Sequence, residues 1–354
     1  MLRKKFIKYF LVFFLISNTI ALPINTTSLA SSSDKAMSAI TNVLLNNTKF
    51  LDTDDGKNVS LKDFLSNFNV EVGLTAKATE FAVIDLDGDG TPEVVMELKY
   101  GNAGFYEVFR YTQGNVLGYN LVYRAMENLQ KDGSFISSSG AANNAISKLR
   151  FLGDTYDTEE LIWSESELNG SVLFFDHDVP IDDNTFSSHM DSLNNNVDWY
   201  HFTSKNIKKW VTNRPVSLIT KPLLPTANIS ERQKYLDSLS YLFTDSYKDT
   251  YTENRKLAND RALKRYKSWD SELNKIYQLL KKKLPATDMQ KLRTEELQWI
   301  KIRDQRAKQV FSEWSNDKYG KEYADEMRNN TRSDITRRRT YQLIDFYYGC
   351  TFYN

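Results

Sequence analysis

Asp85-x-Asp87-x-Asp89-Gly90-x-x-Glu93 places four carboxylates within nine residues, three of them at alternate positions. In a tight loop such positions converge on one point, and Gly90 permits the sharp turn. The set suits calcium, a hard cation that takes about six to eight oxygen ligands. The carbonyl of Thr91 and the carboxylate of Glu93 are candidates to complete the shell. No lysine stands within the run, so its carboxylates repel one another unless a cation sits among them. The competing reading is an acidic turn between two strands, where Asp and Gly belong anyway. Met96 stands at the twelfth position, where an EF-hand needs a bidentate glutamate, and Glu97 comes one place late. A strand–loop–strand site holding structural calcium is therefore expected.

Other chemistry is sparse. His177, His189 and His201 are evenly spaced but fit no metal-ligand pattern, and Asp176-His177-Asp178 reads as a solvated turn. Phosphate loops, Cys/His clusters and nucleophile elbows are absent. A pair of carboxylates for glycoside hydrolysis needs no local motif. The rival to a binding protein is thus a calcium-stabilised enzyme acting on cell-wall glycans. Lys281-Lys282-Lys283 and Arg337-Arg338-Arg339 read as solvated helix faces, with anionic cell-wall polymers or lipid headgroups as possible partners. No nucleic-acid partner is expected.

The elements that would position these residues change character along the chain. Arg3, Lys4, Lys5 and Lys8 precede a short apolar run, Tyr9 to Leu22, and Ser28-Leu29-Ala30 offers small residues for a signal peptidase. Residues 1–30 are expected to be a secretory signal, with the mature chain starting near Ser31 outside the cytoplasmic membrane. No transmembrane segment is expected in that mature chain.

Residues 31–214 carry 27 acidic and 15 basic residues; residues 215–354 carry 19 and 27. The halves are thus net −12 and +8, and the four basic residues of the signal close the sum to zero. Residues 31–214 read as an α+β domain. A helix is expected from Ala36 to Leu51, and a capped one from Ser60-Leu61-Lys62-Asp63. An antiparallel meander is expected from Phe81 to Phe175, then a helix from Asp182 to Leu193. The prolines of residues 215–228 mark a linker. Residues 229–354 read as an all-α bundle, with helices from Ser230, from Thr252 to Leu284, from Thr287 and from Glu322 to Tyr347.

Within the helical half, polar and aromatic residues recur at helical spacing. They are Asp270-x-x-Leu273-Asn274-x-x-Tyr277, Leu292-Arg293, Trp299-Ile300-x-x-Arg303-Asp304 and Thr336-x-x-Arg339. A polar residue fixed at such spacing has a hydrogen-bonding or ion-pairing role. That role is either a network fixing helix register or a partner surface, and the register network is the favoured reading.

These four sub-motifs, in this order, resemble the LprI-like lysozyme-inhibitor family, small helical modules of bacterial cell envelopes. The resemblance implies a non-enzymatic binding module outside the cytoplasm, whose ligand the sequence does not name; carried over to function, it implies binding and inhibition of lysozyme-type muramidases. It also implies a cysteine pair near the Arg-Asp and Thr-x-x-Arg motifs. Here Ala307 and Asn330-Thr331 stand instead, and Cys350 is the only cysteine. The acidic loop resembles the calcium loops of dockerins and of integrin-like blade repeats. Lysozymes are generally cationic, so the acidic half is expected to steer such a partner.

Overall fold

The computed structural model describes residues 26–68, 76–100, 103–212, 226–243, 254–315 and 320–349. The apolar signal run, the proline-rich stretch 215–225 and Cys350 lie outside them. Helix α1 (Thr26–Leu44) opens the described chain and passes through the expected cleavage point after Ala30. Its buried residues include Ser33, Ala36, Met37, Ile40 and Val43.

The expected helix from Ala36 to Leu51 is shorter than its spacing implied. It stops at Leu44, Asn46 takes a left-handed φ of 60°, and β1 (Lys49–Asp52) pairs antiparallel with β2 (Lys57–Ser60). Phe50 and Leu51 fit either period, and tertiary packing decides. Phe50 sits 5.5 Å from the Phe64 ring and 5.1 Å from Phe109. Ser60 caps α2 (Leu61–Asn67) by accepting from the Asp63 amide at 3.1 Å, as its sequence indicates.

Two sheets follow. The first contains β1, β2, β3 (Lys77–Ile84), β4 (Glu93–Tyr100), β5 (Ala103–Thr112), β6 (Asn115–Leu121) and the short β12 (Tyr200–His201). Its order is β12-β3-β4-β5-β6-β1-β2, antiparallel except for β1 beside β6. The second is an antiparallel meander in the order β11-β10-β9-β8-β7. Its strands are β7 (Phe135–Gly140), β8 (Asn143–Leu152), β9 (Thr155–Ser166), β10 (Val172–Asp176) and β11 (Val179–Ile181).

Strand β4 is apolar on both faces because both are covered. Val94, Met96 and Leu98 pack under α1, whereas Val95 meets Leu149 and Phe151 of the second sheet. Helix α3 (Asp183–Asp191), capped by Asp182, lies on β9 and β10. Tyr200, Phe202 and Trp210 pack against the first core, Trp210 from the turns after α4 (Ser204–Ile207).

The second half is helical, as expected. It contains α5 (Thr226–Asp237), α6 (Arg255–Lys283), α7 (Ala286–Ser315) and α8 (Gly320–Tyr348). Ser230 and Gln233 do not cap α5 but lie inside it. Gln233 instead donates to the Phe151 carbonyl at 2.9 Å. Leu284 is extended before Pro285, which ends α6. Helix α8 lies between α6 and α7 on one side and α5 and the second sheet on the other. Trp269, Leu273, Ile276, Trp299, Tyr341 and Ile344 form its core together with Leu152 of β8.

The solvated faces expected for the arginine run do not hold for Arg337 and Arg338, which are buried. The reason is the acidic second sheet. Arg337 pairs with Asp157 and, at 3.2 Å, with Glu160; Arg338 donates to Asp178 at 2.8 Å. Arg306 of α7 meets Glu165 at 2.6 Å and Glu167 at 3.3 Å. Between these arginines the rings of Trp163 and Phe175 stack at 4.1 Å. Arg338 lies 5.0 Å from Trp163 and Arg306 5.7 Å from Phe175. Much of the opposite charge on the two halves is therefore paired inside the molecule.

Candidate functional site

The helical motif is mainly a network joining three helices. Arg303 of α7 reaches Asp270 of α6 at 3.5 Å and donates to Asp304 at 3.0 Å. Asp304 in turn lies 3.9 Å from Arg332 of α8. The Arg303 and Arg332 guanidiniums face the Tyr266 ring at 5.5 and 5.7 Å, and Arg303 also covers Trp299 at 5.0 Å. Asn274 donates to the Asp270 carbonyl at 2.7 Å, one turn back along the helix. Arg339 donates from Nε to Glu296 at 2.8 Å, tying α8 to α7. Leu273, Leu292, Trp299 and Thr336 are buried, and Tyr277 packs at the edge of the same core. Charge-assisted bonds of this kind select one helix register over its neighbours.

Two motif residues stay outside this scaffold. Arg293 and Ile300 are exposed, and Leu297 lies between them. Arg293, Leu297, Ile300 and Asp304 are spaced by four, three and four residues, which places them on one stripe of α7. Leu297 is 54% exposed and Ile300 38%. Leu297 follows the apolar pattern of α7 in the sequence and is exposed instead; Glu296, Tyr266 and Arg332 are not singled out by the sequence. Helical spacing marks them: Tyr266 stands four before Asp270, and Arg332 four before Thr336.

The acidic residues converge in the β3–β4 loop. Ligand oxygens of Asp85, Asp87 and Asp89 lie within 4.8 Å of one another. Each carboxylate spends one oxygen on the loop backbone. Asp85 accepts from the Gly90 amide at 2.9 Å, and Asp87 from Asp89 at 3.1 Å. Asp89 accepts from Thr91 at 2.6 Å, and Glu93 from Leu86 at 2.9 Å. Gly88 and Gly90, at φ 73° and 84°, supply the left-handed turns.

Burial and then the neighbouring Asp87 push the Asp85 carboxyl up to about 8 and that of Asp89 up to about 7. Glu93 is raised well above the carboxylate range, first by burial. A basic partner comes from a distant strand. Arg110 of β5 donates to Asp87 at 2.9 Å and lies 3.6 Å from Asp89 and 3.5 Å from Glu93. Nothing near the loop in sequence announces it. The only trace is a charged residue on a strand face whose other members, such as Val108, are core.

The histidines do not assemble. His201 pairs with Glu80 at 3.0 Å far along the first sheet, while His177 and His189 both face Asp176. Asp176 is held below the usual range, first by its hydrogen bond with His177. Asp178 is taken by Arg338, so the Asp176–Asp178 turn docks the helical half.

No curated protein and no solved structure matches this chain. Residues 248–343, which take in α6, α7 and α8 as far as Leu343, match the family model described as Lysozyme inhibitor LprI.

Proposed function

We propose that the protein is exported, does not catalyse a reaction, and binds and inhibits a lysozyme-type muramidase through the exposed stripe of α7. The observation that carries this reading is the division of labour within the region matched by the inhibitor family. Arg303, Asp304, Asp270 and Arg339 are committed to joining helices. Leu297 and Ile300 remain exposed on the same helix. Large apolar side chains ringed by polar groups supply binding energy when a partner excludes water from them. Arg293 and Asp304 flank them on the same stripe, the Asp304 side chain 45% exposed beyond its pairing with Arg303.

Steering by the acidic half is weaker than its net charge implies. Asp157, Glu160, Asp178, Glu165 and Glu167 already face the protein's own arginines.

Titration of residues 31–354 with lysozyme in a calorimeter tests the reading. Wild type should bind, and the double variant Leu297→Asp, Ile300→Asp should lose binding while melting at the same temperature. Binding untouched by the double variant would move the interface elsewhere. A folded wild type that gives no heat would end the proposal.

A further inference from the structure

We propose that the β3–β4 loop is a calcium-type cation site and that Arg110 sets its affinity. After the four backbone hydrogen bonds, four carboxylate oxygens remain. Three of them, on Asp87, Asp89 and Glu93, face Arg110. The fourth, Asp85 Oδ1, is buried and has no hydrogen-bond partner. Glu93 is only 1% exposed, and its Oε1 accepts no hydrogen bond either. One guanidinium thus stands against four carboxylates, a net charge of −3 when all are ionised. Buried oxygens in that balance call for a further cation.

The donors are all oxygen. A site without nitrogen or sulfur favours a hard dication over zinc or copper. Asp85, Asp87 and Asp89, whose carboxylate oxygens lie within 4.8 Å of one another, are the groups that would take it, with Arg110 against Asp87 and Asp89.

Arg110 cannot leave to make room. Its guanidinium lies 4.6 Å from the Phe151 ring of the second sheet, between the two sheets, and its side chain is almost wholly buried. A bound dication must therefore share the carboxylates with a fixed positive charge. That repulsion weakens binding, while the same arginine keeps the loop folded when calcium is low. The expected result is a weak site in the range of about 10⁻⁴–10⁻³ M, as in extracellular modules.

The test is calorimetric titration of the chelator-dialysed full chain with calcium chloride, alongside melting with and without calcium. Wild type should bind in that range and melt higher with calcium. Asp85→Asn should weaken binding at least about tenfold, and Arg110→Gln should tighten it at least about tenfold, because each changes one buried charge beside the dication. Arg110→Lys, which keeps the charge, should stay close to wild type. If Arg110→Gln does not fold in chelator, calcium should restore its circular dichroism at concentrations below the wild-type dissociation constant. No heat and no shift in melting for wild type at about 10 mM calcium, well above the upper limit of that range, would overturn the site. Weaker binding by Arg110→Gln, or no recovery of its fold, would overturn the role of Arg110.

Discussion

Replacing Asp345 by alanine removes the carboxylate shared by two buried arginines. Arg150 of β8 donates to Asp345 at 2.7 Å and to Glu159 of β9 at 2.6 Å, and Arg232 of α5 donates to Asp345 at 2.6 Å. The four side chains are each at most 5% exposed, and their charges sum to zero. Asp345→Ala removes the carboxylate that both buried guanidiniums donate to, while Glu159 still faces Arg150. Breaking a buried pair in this way costs about 3–5 kcal/mol. Unfolding entropy near 2.1 cal/mol/K per residue gives about 0.7 kcal/mol/K for roughly 320 residues. The melting temperature should therefore fall by about 4–7 °C if the chain unfolds as one unit. Differential scanning calorimetry reads both the shift and the number of transitions. Arg232→Ala should then cost less in the Asp345→Ala background than in wild type, because the two share one interaction. A fall below about 1 °C, or fully additive effects, would refute the reasoning that this cluster holds sheet and helices together.

Three further outcomes are expected. Burial, opposed by the Asn120 hydrogen bond, raises the Glu107 carboxyl well above the usual range. The native state then keeps a proton that the unfolded chain releases above about pH 4.5, so this contribution to stability fades as pH rises toward the native pKa. Glu107→Gln should accordingly gain stability over wild type at pH 8 but not at pH 4, as urea titration would show; equal differences at both would contradict this. Gly118→Ala would bring a methyl against Glu107 and within 2.5 Å of the Phe50 ring, costing about 1–3 kcal/mol by overpacking; an unchanged urea midpoint would mean that the core yields freely. N-terminal sequencing of the exported protein should begin near Ser31, and a sequence starting at Met1 would contradict the signal assignment.

Much of what depends on local pattern was legible in the sequence, although the helix expected from Ala36 to Leu51 and the cap at Ser230 were overridden by packing. The β3–β4 loop, the cap at Ser60, the helix that starts at Asp182 and the three long helices all carry their signal within a few residues. The motif of the helical half was legible because Asp270, Arg303, Asp304 and Arg339 break the apolar rule at fixed spacing. Contacts made across the fold left no such mark. Arg110 completes the acidic loop from another strand, and Asp345 meets Arg150 across 195 residues. Arg337 and Arg338 read as solvent-facing because charge in a helix is usually exposed, and only the carboxylates of β9 and of the β10–β11 turn make their burial tolerable. Leu297 carries no polar signature, so only its exposure marks it.

The central claim is that the region spanning α6 to α8 binds and inhibits a muramidase through α7. Its most direct test is the rate at which lysozyme clears a suspension of bacterial cell walls, measured with rising amounts of folded residues 31–354. The account predicts that turnover falls to zero near one equivalent and that Leu297→Asp, Ile300→Asp restores it. Full turnover in the presence of a large excess of the folded wild-type protein would contradict the account.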